Sequence, residues 1–410
     1  MVVAGDLGSR DACRTPAQRN PDEHVDAIAG QSSKPLSTAC GGRTSLAPVE
    51  PLWSLPESRL LTICGSCNRR GPPVTTPALV VPAEWEPQRA IWTAWPASLE
   101  EWNGDVETPR RDVAGMARAL AAAGNTVRLL VHDAEAEASA RAAVGSACDI
   151  VPVRYGDIWL RDTGPIFARA PEGNVAVRFK TNGWGGKFDL PDDATVGGEI
   201  ARLAGAPERG FDFVLEGGAV EHDGEGTILT TRQTLLNPNR NGWTREDAER
   251  ALAKSLGARK VIWIDEGLKN DHTDGHIDNI ARFVAPGRVV CQSAAGADDP
   301  NRETLDAIAA TLAAATDESG RKLEVIRVPG VGLYRNRLGE VAPASHMNFI
   351  IANGVVVVPV YGTPSETAAL AALQSAFPDR KVVGVSSRGL IGDGTAGGGS
   401  FHCITQQEPL

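Results

Sequence analysis

No apolar run in this sequence approaches the roughly 18–20 residues that a membrane-spanning helix needs. The longest candidate, around Val355–Val360, has the length of a buried strand. Positive charge is also short: 41 basic residues face 51 acidic ones, a formal net charge of -10. Nucleic acid and anionic membrane surfaces require a positive field, so neither is expected as a partner. The same balance is compatible with a small cationic substrate. The first residues, MVVAGDLGSRDACR, lack a basic segment followed by an apolar one, and their acidic side chains argue against a mitochondrial-type leader. Cysteines are few and odd in number: Cys13, Cys40, Cys64, Cys67, Cys148, Cys291 and Cys403. Without framework spacing they read as free thiols in a reducing compartment, and a cytoplasmic location is expected. Monomer and homo-oligomer are both compatible with these features.

Hydrophobic residues make up 42% and charged residues 22%, enough to bury a sizeable core. Residues 1–77 are rich in Ser, Thr, Pro, Gly, Arg and Asp and lack hydrophobic periodicity, so they are expected to be a disordered or non-native N-terminal extension. Cys64 and Cys67 fall here, and one CxxC without a second pair is half a zinc site at most. Ordered composition begins near Ala78, and no linker-like stretch interrupts residues 78–410. Pro109–Ala123 reads as a helix with Thr108 as N-cap and Pro109 at the first helical position. Further helices are expected near 134–144, 192–204, 244–256, 301–315 and 365–376.

Between the helices lie paired β runs around turn residues: Ile166–Ala170 with Val175–Phe179, Ala219–His222 with Thr227–Thr231, Ile280–Val284 with Arg288–Cys291, and Met347–Ile351 with Val355–Val358. The last pair flanks Asn353-Gly354, a strong hairpin signal. A final strand is expected over Phe401–Thr405. The hairpins recur roughly every 50–70 residues, a spacing that suggests a repeat architecture. A polar or glycine-rich cluster precedes each first strand: Trp159–Pro165, Glu216–Gly218, His272–Asp278, Ser345-His346 and Gly397–Cys403. Equivalent modules around a pseudo-symmetry axis would bring all five clusters to one central site. Two separate α/β domains are the alternative.

The residue types in these clusters carry chemistry. Cys403 follows three glycines, which permit close approach of backbone to a ligand, and a thiolate is a strong nucleophile where its environment or a nearby base favours it. His276 and Asp278, two apart, would share one face of a strand, and histidine is the usual acid/base near neutral pH. Asp162 would supply a second carboxylate, since two carboxylates flanking a planar cation can each accept bidentate hydrogen bonds from a guanidinium. Glu216 would orient His276 or cap a turn. Thiol, imidazole and carboxylates together point to covalent catalysis at a cationic electrophilic carbon, such as that of a guanidinium. A metal-dependent hydrolase built on His272, Asp274, His276 and Asp278 is the alternative from another class, and an inactive binder of guanidines or polyamines is a third.

Five ordered motifs, Trp159-Leu-Arg-Asp-Thr-Gly-Pro165, Asn182-Gly-Trp-Gly-Gly-Lys187, Leu215-Glu-Gly-Gly218, Gly275-His-Ile-Asp278 and Gly397-Gly-Gly-Ser-Phe-His-Cys-Ile-Thr-Gln-Gln407, with the opening Pro82-Ala-Glu-Trp-Glu-Pro87, resemble the agmatine deiminase and bacterial-type peptidylarginine deiminase family. The resemblance runs from about Ala78 to Pro409. It implies an α/β, five-fold pseudosymmetric propeller of the pentein type, formed as a single domain over residues 78–410. It implies Cys403 as nucleophile, His276 as proton carrier, Asp162 and Asp278 as guanidinium ligands, Glu216 as support for His276, and Trp159 along the substrate's alkyl chain. No metal and no organic cofactor are implied. The agmatine-specific pattern places an acidic residue four positions before the histidine, where this chain has His272. A neutral His at that position favours a distal ammonium less than a carboxylate does; agmatine is still the first expected substrate, with arginine, peptidyl arginine or another guanidine as alternatives.

Overall fold

A computed structural model describes residues 79–392 and 398–410. The expected extension over residues 1–77, the Cys64/Cys67 pair and Gly397 lie outside the described residues.

Sixteen strands are arranged in five small mixed sheets among the described residues. The strands are β1 (Gln88–Ala94), β2 (Val127–Val131), β3 (Asp149–Pro152), β4 (Ile166–Ala170), β5 (Gly173–Lys180), β6 (Glu208–Val214), β7 (Val220–His222) and β8 (Thr227–Thr231). They continue with β9 (Lys260–Ile264), β10 (Ala281–Ala285), β11 (Arg288–Ser293), β12 (Glu324–Pro329), β13 (Ile350–Ala352), β14 (Val355–Val360), β15 (Lys381–Ser386) and β16 (Thr405–Pro409). Four sheets repeat one rule: a hairpin of two antiparallel strands, then a helix, then a third strand parallel to the second. These are β4-β5-β6, β7-β8-β9, β10-β11-β12 and β13-β14-β15. The fifth obeys the same rule with its first strand taken from the other end of the chain: β16 pairs antiparallel with β1, β1 pairs parallel with β2, and β3 is added outside. The fold is the five-fold α/β propeller expected from the repeat, and the fifth module is closed by the C-terminal strand.

The helices follow from apolar spacing. Glu107–Ala122 buries Val113, Met116, Ala117 and Leu120, the i, i+3, i+4, i+7 stripe of an amphipathic helix. They pack on Trp92, Leu129 and Leu130 of the fifth sheet. This helix begins two residues before the expected start. Asp105, not Thr108, accepts the free amide, taking Thr108 N–H at 3.1 Å and the Thr108 hydroxyl at 2.7 Å. Pro109 is then the third helical residue, still inside the turn whose amides have no intrahelical partner. Arg245–Leu256 opens with a Thr244/Asp247 capping box, and Asp133 caps Ala134–Val144 through Ala136 N–H. Asn353-Gly354 forms the two-residue β13–β14 turn, with Gly354 at φ 73°.

Exposure grades across each sheet. The first strands β4 and β10 are largely buried, whereas β6, β12 and β15 alternate with solvent. The turns that lead into the first strands therefore lie inside. Those over 160–163, 217–219 and 277–279 pack against one another. Beside them runs a buried ionic network. Arg282 binds Glu221 at 2.7 Å, Glu84, and the Phe349 carbonyl at 2.8 Å. Glu221 also accepts Phe283 N–H at 2.9 Å, and Glu84 accepts Ile351 N–H at 2.7 Å. Burial would raise the Glu84 carboxyl, but the Arg282 guanidinium and His402 outweigh it and hold it well below its ordinary range. Glu221, also near Glu84, is pushed up to about 7 by burial against the pull of Arg282.

Removing one partner of a buried ion pair leaves an uncompensated charge. Arg282→Met is expected to destabilise the protein by about 3–5 kcal/mol, read as a fall in the urea midpoint; an unchanged midpoint would show that the network does not hold the modules together.

Candidate active site

Three of the expected residues meet around Gly218, and a fourth, Cys403, lies beside one of them. A Cβ at that position would lie 2.6 Å from His276 Nδ1, 2.9 Å from Asp162 Oδ1 and 3.0 Å from Asp278 Oδ2, so only a glycine backbone passes between these groups. Asp278 Oδ2 lies 3.5 Å from the Cys403 sulfur. All four side chains are buried.

Each is set by the turn that carries it. Asp162 sits in the short helix Leu160–Thr163; its Oδ1 accepts Gly218 N–H at 2.9 Å and its Oδ2 accepts Trp184 Nε1–H at 2.7 Å. Trp184 has φ 53°, a left-handed conformation that is an outlier for a bulky residue and is tolerated where surroundings over-determine it. His276 and Asp278 do not share a strand. His276 caps the 3-10 turn Ile277–Asn279 that leads into β10, so the period-two argument fails while the pairing of the two residues holds. Cys403 likewise stands in a turn, because strand structure begins at Thr405 rather than Phe401. Asn348 gathers that turn: its Oδ1 accepts the Ser400, His402 and Cys403 amides at 2.9–3.1 Å, and its Nδ2 donates to the Cys403 sulfur at 3.0 Å. Arg161 pins it from the first module through Arg161 N–H to the Cys403 carbonyl and Nε to the His402 carbonyl.

Glu216 departs from expectation. It does not touch the His276 ring. Its Oε1 accepts from Arg240 at 2.9 Å, and Arg240 continues to Asp274 and to the Thr273 carbonyl. The Thr273 hydroxyl then accepts His276 N–H at 3.1 Å. Glu216 therefore reaches His276 only through Arg240 and the turn before it. Asp274, a ligand in the metal reading, is held by Lys187, Asn239 and Arg240. Among the described residues no group of three or more His, Cys, Asp or Glu side chains is arranged to hold a metal ion, so the His272–Asp278 cluster does not converge as that reading required. Of Ser345-His346, His346 turns away to the Pro359 carbonyl at 2.9 Å, whereas Ser345 donates to the Asn279 carbonyl at 2.6 Å and Asn348 is the residue of that module that reaches Cys403.

The site is buried and rich in like charge. Burial and the Asp162 carboxylate push Asp278 well above the ordinary range, and burial raises Asp162 to about 7. Burial, Asp278 and Asp162 together push the Cys403 thiol well up. Burial and Arg240 hold His276 well down, so it is neutral. Neither ring nitrogen of His276 has a hydrogen-bond partner, nor does Asp278 Oδ1; buried polar atoms are normally paired. His402 spans Asp278 and Glu84, with Nδ1 2.8 Å from Asp278 and Nε2 3.1 Å from Glu84. Burial and Arg161 keep it neutral. A neutral imidazole has one N–H, so both contacts are satisfied when protonated Asp278 donates to Nδ1 and Nε2–H donates to ionised Glu84.

A cavity of about 480 Å³, counting its open mouth, leads to this centre. Cys403 and Asp162 lie on it, with Trp159, Trp184, Phe188 and Leu190 as apolar walls and His272, Thr273, Gly398 and Gly399 opposite chain segments. Trp159 stacks on Trp102 with ring centres 6.1 Å apart. A Cβ on Gly399 would lie 2.8 Å from both the Cys403 sulfur and the Trp159 ring. Trp184, Asn348, His402 and Arg161 are thus site residues that received no role from sequence. Trp184 and Arg161 fall in the motifs; nothing in the sequence marks Asn348 beyond its place after Ser345-His346.

The family profile of the Porphyromonas-type peptidyl-arginine deiminase matches residues 80–409. The agmatine deiminase of Stutzerimonas stutzeri is 35% identical over 355 residues, covering 80% of this chain and 95% of that protein. That of Pseudomonas aeruginosa is 35% identical over 365 residues, covering 82% and 98%. The agmatine deiminase structure of Enterococcus faecalis superposes with a TM-score of 0.77 at 30% identity, covering 82% of this chain and 98% of that one. A Campylobacter jejuni agmatine deiminase with substrate bound shares the fold, with a TM-score of 0.71 at 23% identity and 80% and 96% coverage.

The electrostatics predict a signed pH dependence. A cation held by Asp162 requires its ionised form, so below about 7 binding must expel a proton. In Cys403→Ser, which removes the thiol from the titration, affinity for a guanidinium ligand should rise with pH by up to about tenfold per unit for each carboxylate that must be ionised, Asp162 through about 7 and Asp278 beyond it. Calorimetry from pH 5 to 9 checks this; a flat profile would mean that Asp162 is not titrated by ligand. Gly218→Ala is expected to lower turnover at least about a hundredfold, because a 1 Å displacement of reacting groups costs that much; near-normal kinetics would show that the triad does not converge at this glycine.

Proposed function

Since this chain belongs to the Porphyromonas-type peptidyl-arginine deiminase family, we propose that it hydrolyses a small guanidino compound, agmatine first, to the ureido product N-carbamoylputrescine and ammonia. The observation that carries this reading is the convergence of a neutral imidazole and two carboxylates on one glycine, with a thiol 3.5 Å from one of the carboxylates, at the end of an apolar pocket. Two buried carboxylates with raised affinity for protons are matched by a planar cation that both can hydrogen-bond. The residue roles and the division of the chain, with residues 78–410 as the catalytic domain and 1–77 outside the chemistry, are parts of the same proposal.

Burial and the two carboxylates hold the thiol protonated. A guanidinium between Asp162 and Asp278 reverses this balance, because its positive charge offsets theirs and favours both carboxylate and thiolate. The Cys403 sulfur then attacks the guanidinium carbon, forming the C–S bond of a tetrahedral adduct. Neutral His276 takes the proton that the thiol gives up and passes it to the departing nitrogen, so that the C–N bond breaks and ammonia leaves. This gives an S-alkylthiouronium. Neutral His276 next removes a proton from water, whose oxygen adds to the same carbon; the C–S bond breaks, the thiol is restored and the urea leaves. His276, with no hydrogen bond at either nitrogen, is free to bond first to the leaving nitrogen and then to water. Glu216 supports it through Arg240. Trp159 flanks the alkyl chain. The chemistry would proceed where thiols remain reduced, in the cytoplasm.

A guanidine panel (agmatine, arginine, peptidyl arginine) scored for ureido product tests reaction and substrate together. Agmatine is expected to give product and one ammonia per turnover, unaffected by chelators. Cys403→Ser should abolish ammonia release, and Asp278→Asn should lower kcat/KM at least about a thousandfold, about 4 kcal/mol of transition-state binding. Ammonia release surviving Cys403→Ser would remove the nucleophile assignment.

A further inference from the structure

The reacting groups occupy only the inner end of the pocket, and Trp159 measures its length. One corner of the indole, Cζ3, meets the same point beside Gly399 as the Cys403 sulfur. On the opposite edge Nε1 donates to Asp157 at 2.8 Å. The pocket therefore runs from the thiol to Asp157 along one indole, and at that far end it is lined by Glu101.

Glu101 is half-buried, and among the described residues no Lys, Arg or His is ion-paired with it. Its ionisable neighbours are acidic: burial and Glu100 raise it, and it in turn helps raise Asp157. Asp157 is already occupied, since its two oxygens accept the indole N–H groups of Trp102 at 3.3 Å and Trp159 at 2.8 Å. Lys187, beside Phe188 in the chain, is taken by Asp274 and the His272 carbonyl. His272 lines the same pocket without offering a carboxylate. Between the two ends the walls are Trp159, Trp184, Phe188 and Leu190. At the inner end His276 and Asp278 keep buried polar atoms without partners. The slot is thus anionic, apolar, then anionic again, the complement of two cations joined by a short alkyl spacer.

We propose that Glu101 is the specificity-determining residue that binds the distal ammonium of a guanidinoalkylamine, an inference that rests on the deiminase reading for the chemistry at the inner end. A substrate carrying a carboxylate at that position would meet like charge, and one carrying no charge would leave Glu101 unpaired. The ammonium approaches the free carboxylate of Glu101, while Asp157 holds the two indoles that frame the slot.

The test compares agmatine with n-butylguanidine, which lacks the amine, in the full chain. Glu101→Gln is expected to lower the ratio of kcat/KM for agmatine to that for n-butylguanidine about tenfold, with the change in the agmatine KM rather than its kcat; Glu101→Asp should restore most of it. An unchanged ratio, or equal losses on both substrates, overturns the proposal. Calorimetry in the Cys403→Ser background separates this from the deiminase reading. There Glu101→Gln should weaken agmatine about tenfold relative to n-butylguanidine. If that difference is present while the unsubstituted protein turns over no guanidine, the amine site stands and the deiminase reading fails. If it is absent, the amine site fails whatever the turnover.

Discussion

Two carboxylates held in a buried interior beside a thiol constitute the constraint on which the rest of this structure depends. Burial raises both Asp162 and Asp278, the Asp162 charge raises Asp278 further, and the two raise Cys403; no lysine or arginine is ion-paired with either among the described residues. Such an arrangement is unfavourable until a cation enters. The surrounding side chains make it tolerable rather than remove it. Trp184 and Gly218 donate hydrogen bonds to Asp162, and His402 takes up the proton-bearing face of Asp278. Arg282 neutralises the outer carboxylates Glu84 and Glu221 and leaves the inner pair unsatisfied. Charge is thereby graded from a compensated ring of ions to an uncompensated centre.

The propeller makes this gradient possible. Each module contributes the turn ahead of its first strand, and the five turns share one space. No single element could present a thiol, an imidazole and two carboxylates at these separations, because side chains on one strand or helix diverge from their neighbours. Drawn from different modules, they converge without strain in most of the backbone. The departure is Trp184, whose left-handed conformation is held by the packing around Asp162.

Much of this was legible in the sequence, for identifiable reasons. Hairpin signals such as Asn353-Gly354 and helix patterns such as Val113/Met116/Leu120 are local, and local signals translate directly into elements. The recurrence of hairpins with a polar cluster ahead of each gave the convergence of Cys403, His276, Asp162 and Asp278. What was not legible depended on contacts across modules. Glu216 lies in the right place but spends its hydrogen bond on Arg240, a residue without a distinguishing pattern. Asn348, which gathers the nucleophile's turn, is one asparagine among several. The strand assigned to His276 and Asp278 was an error of backbone type: a tight turn can bring residues two apart to one site as well as a strand can. The start of the helix at Glu107 rather than Pro109 was decided by Asp105, an ordinary loop residue until its carboxylate is seen to accept Thr108.

The fifth sheet pairs Gln88 with Pro409, partners from opposite ends of the folded chain. Every other sheet is assembled from neighbours in sequence and can form early. This one pays the largest loop-closure entropy and is the natural last step of folding. The residue that carries the thiol stands two positions before its closing strand. Refolding should therefore regain helix content before it regains any reactive centre, and the return of a guanidinium-protected thiol would serve as a clock for the closure of the ring.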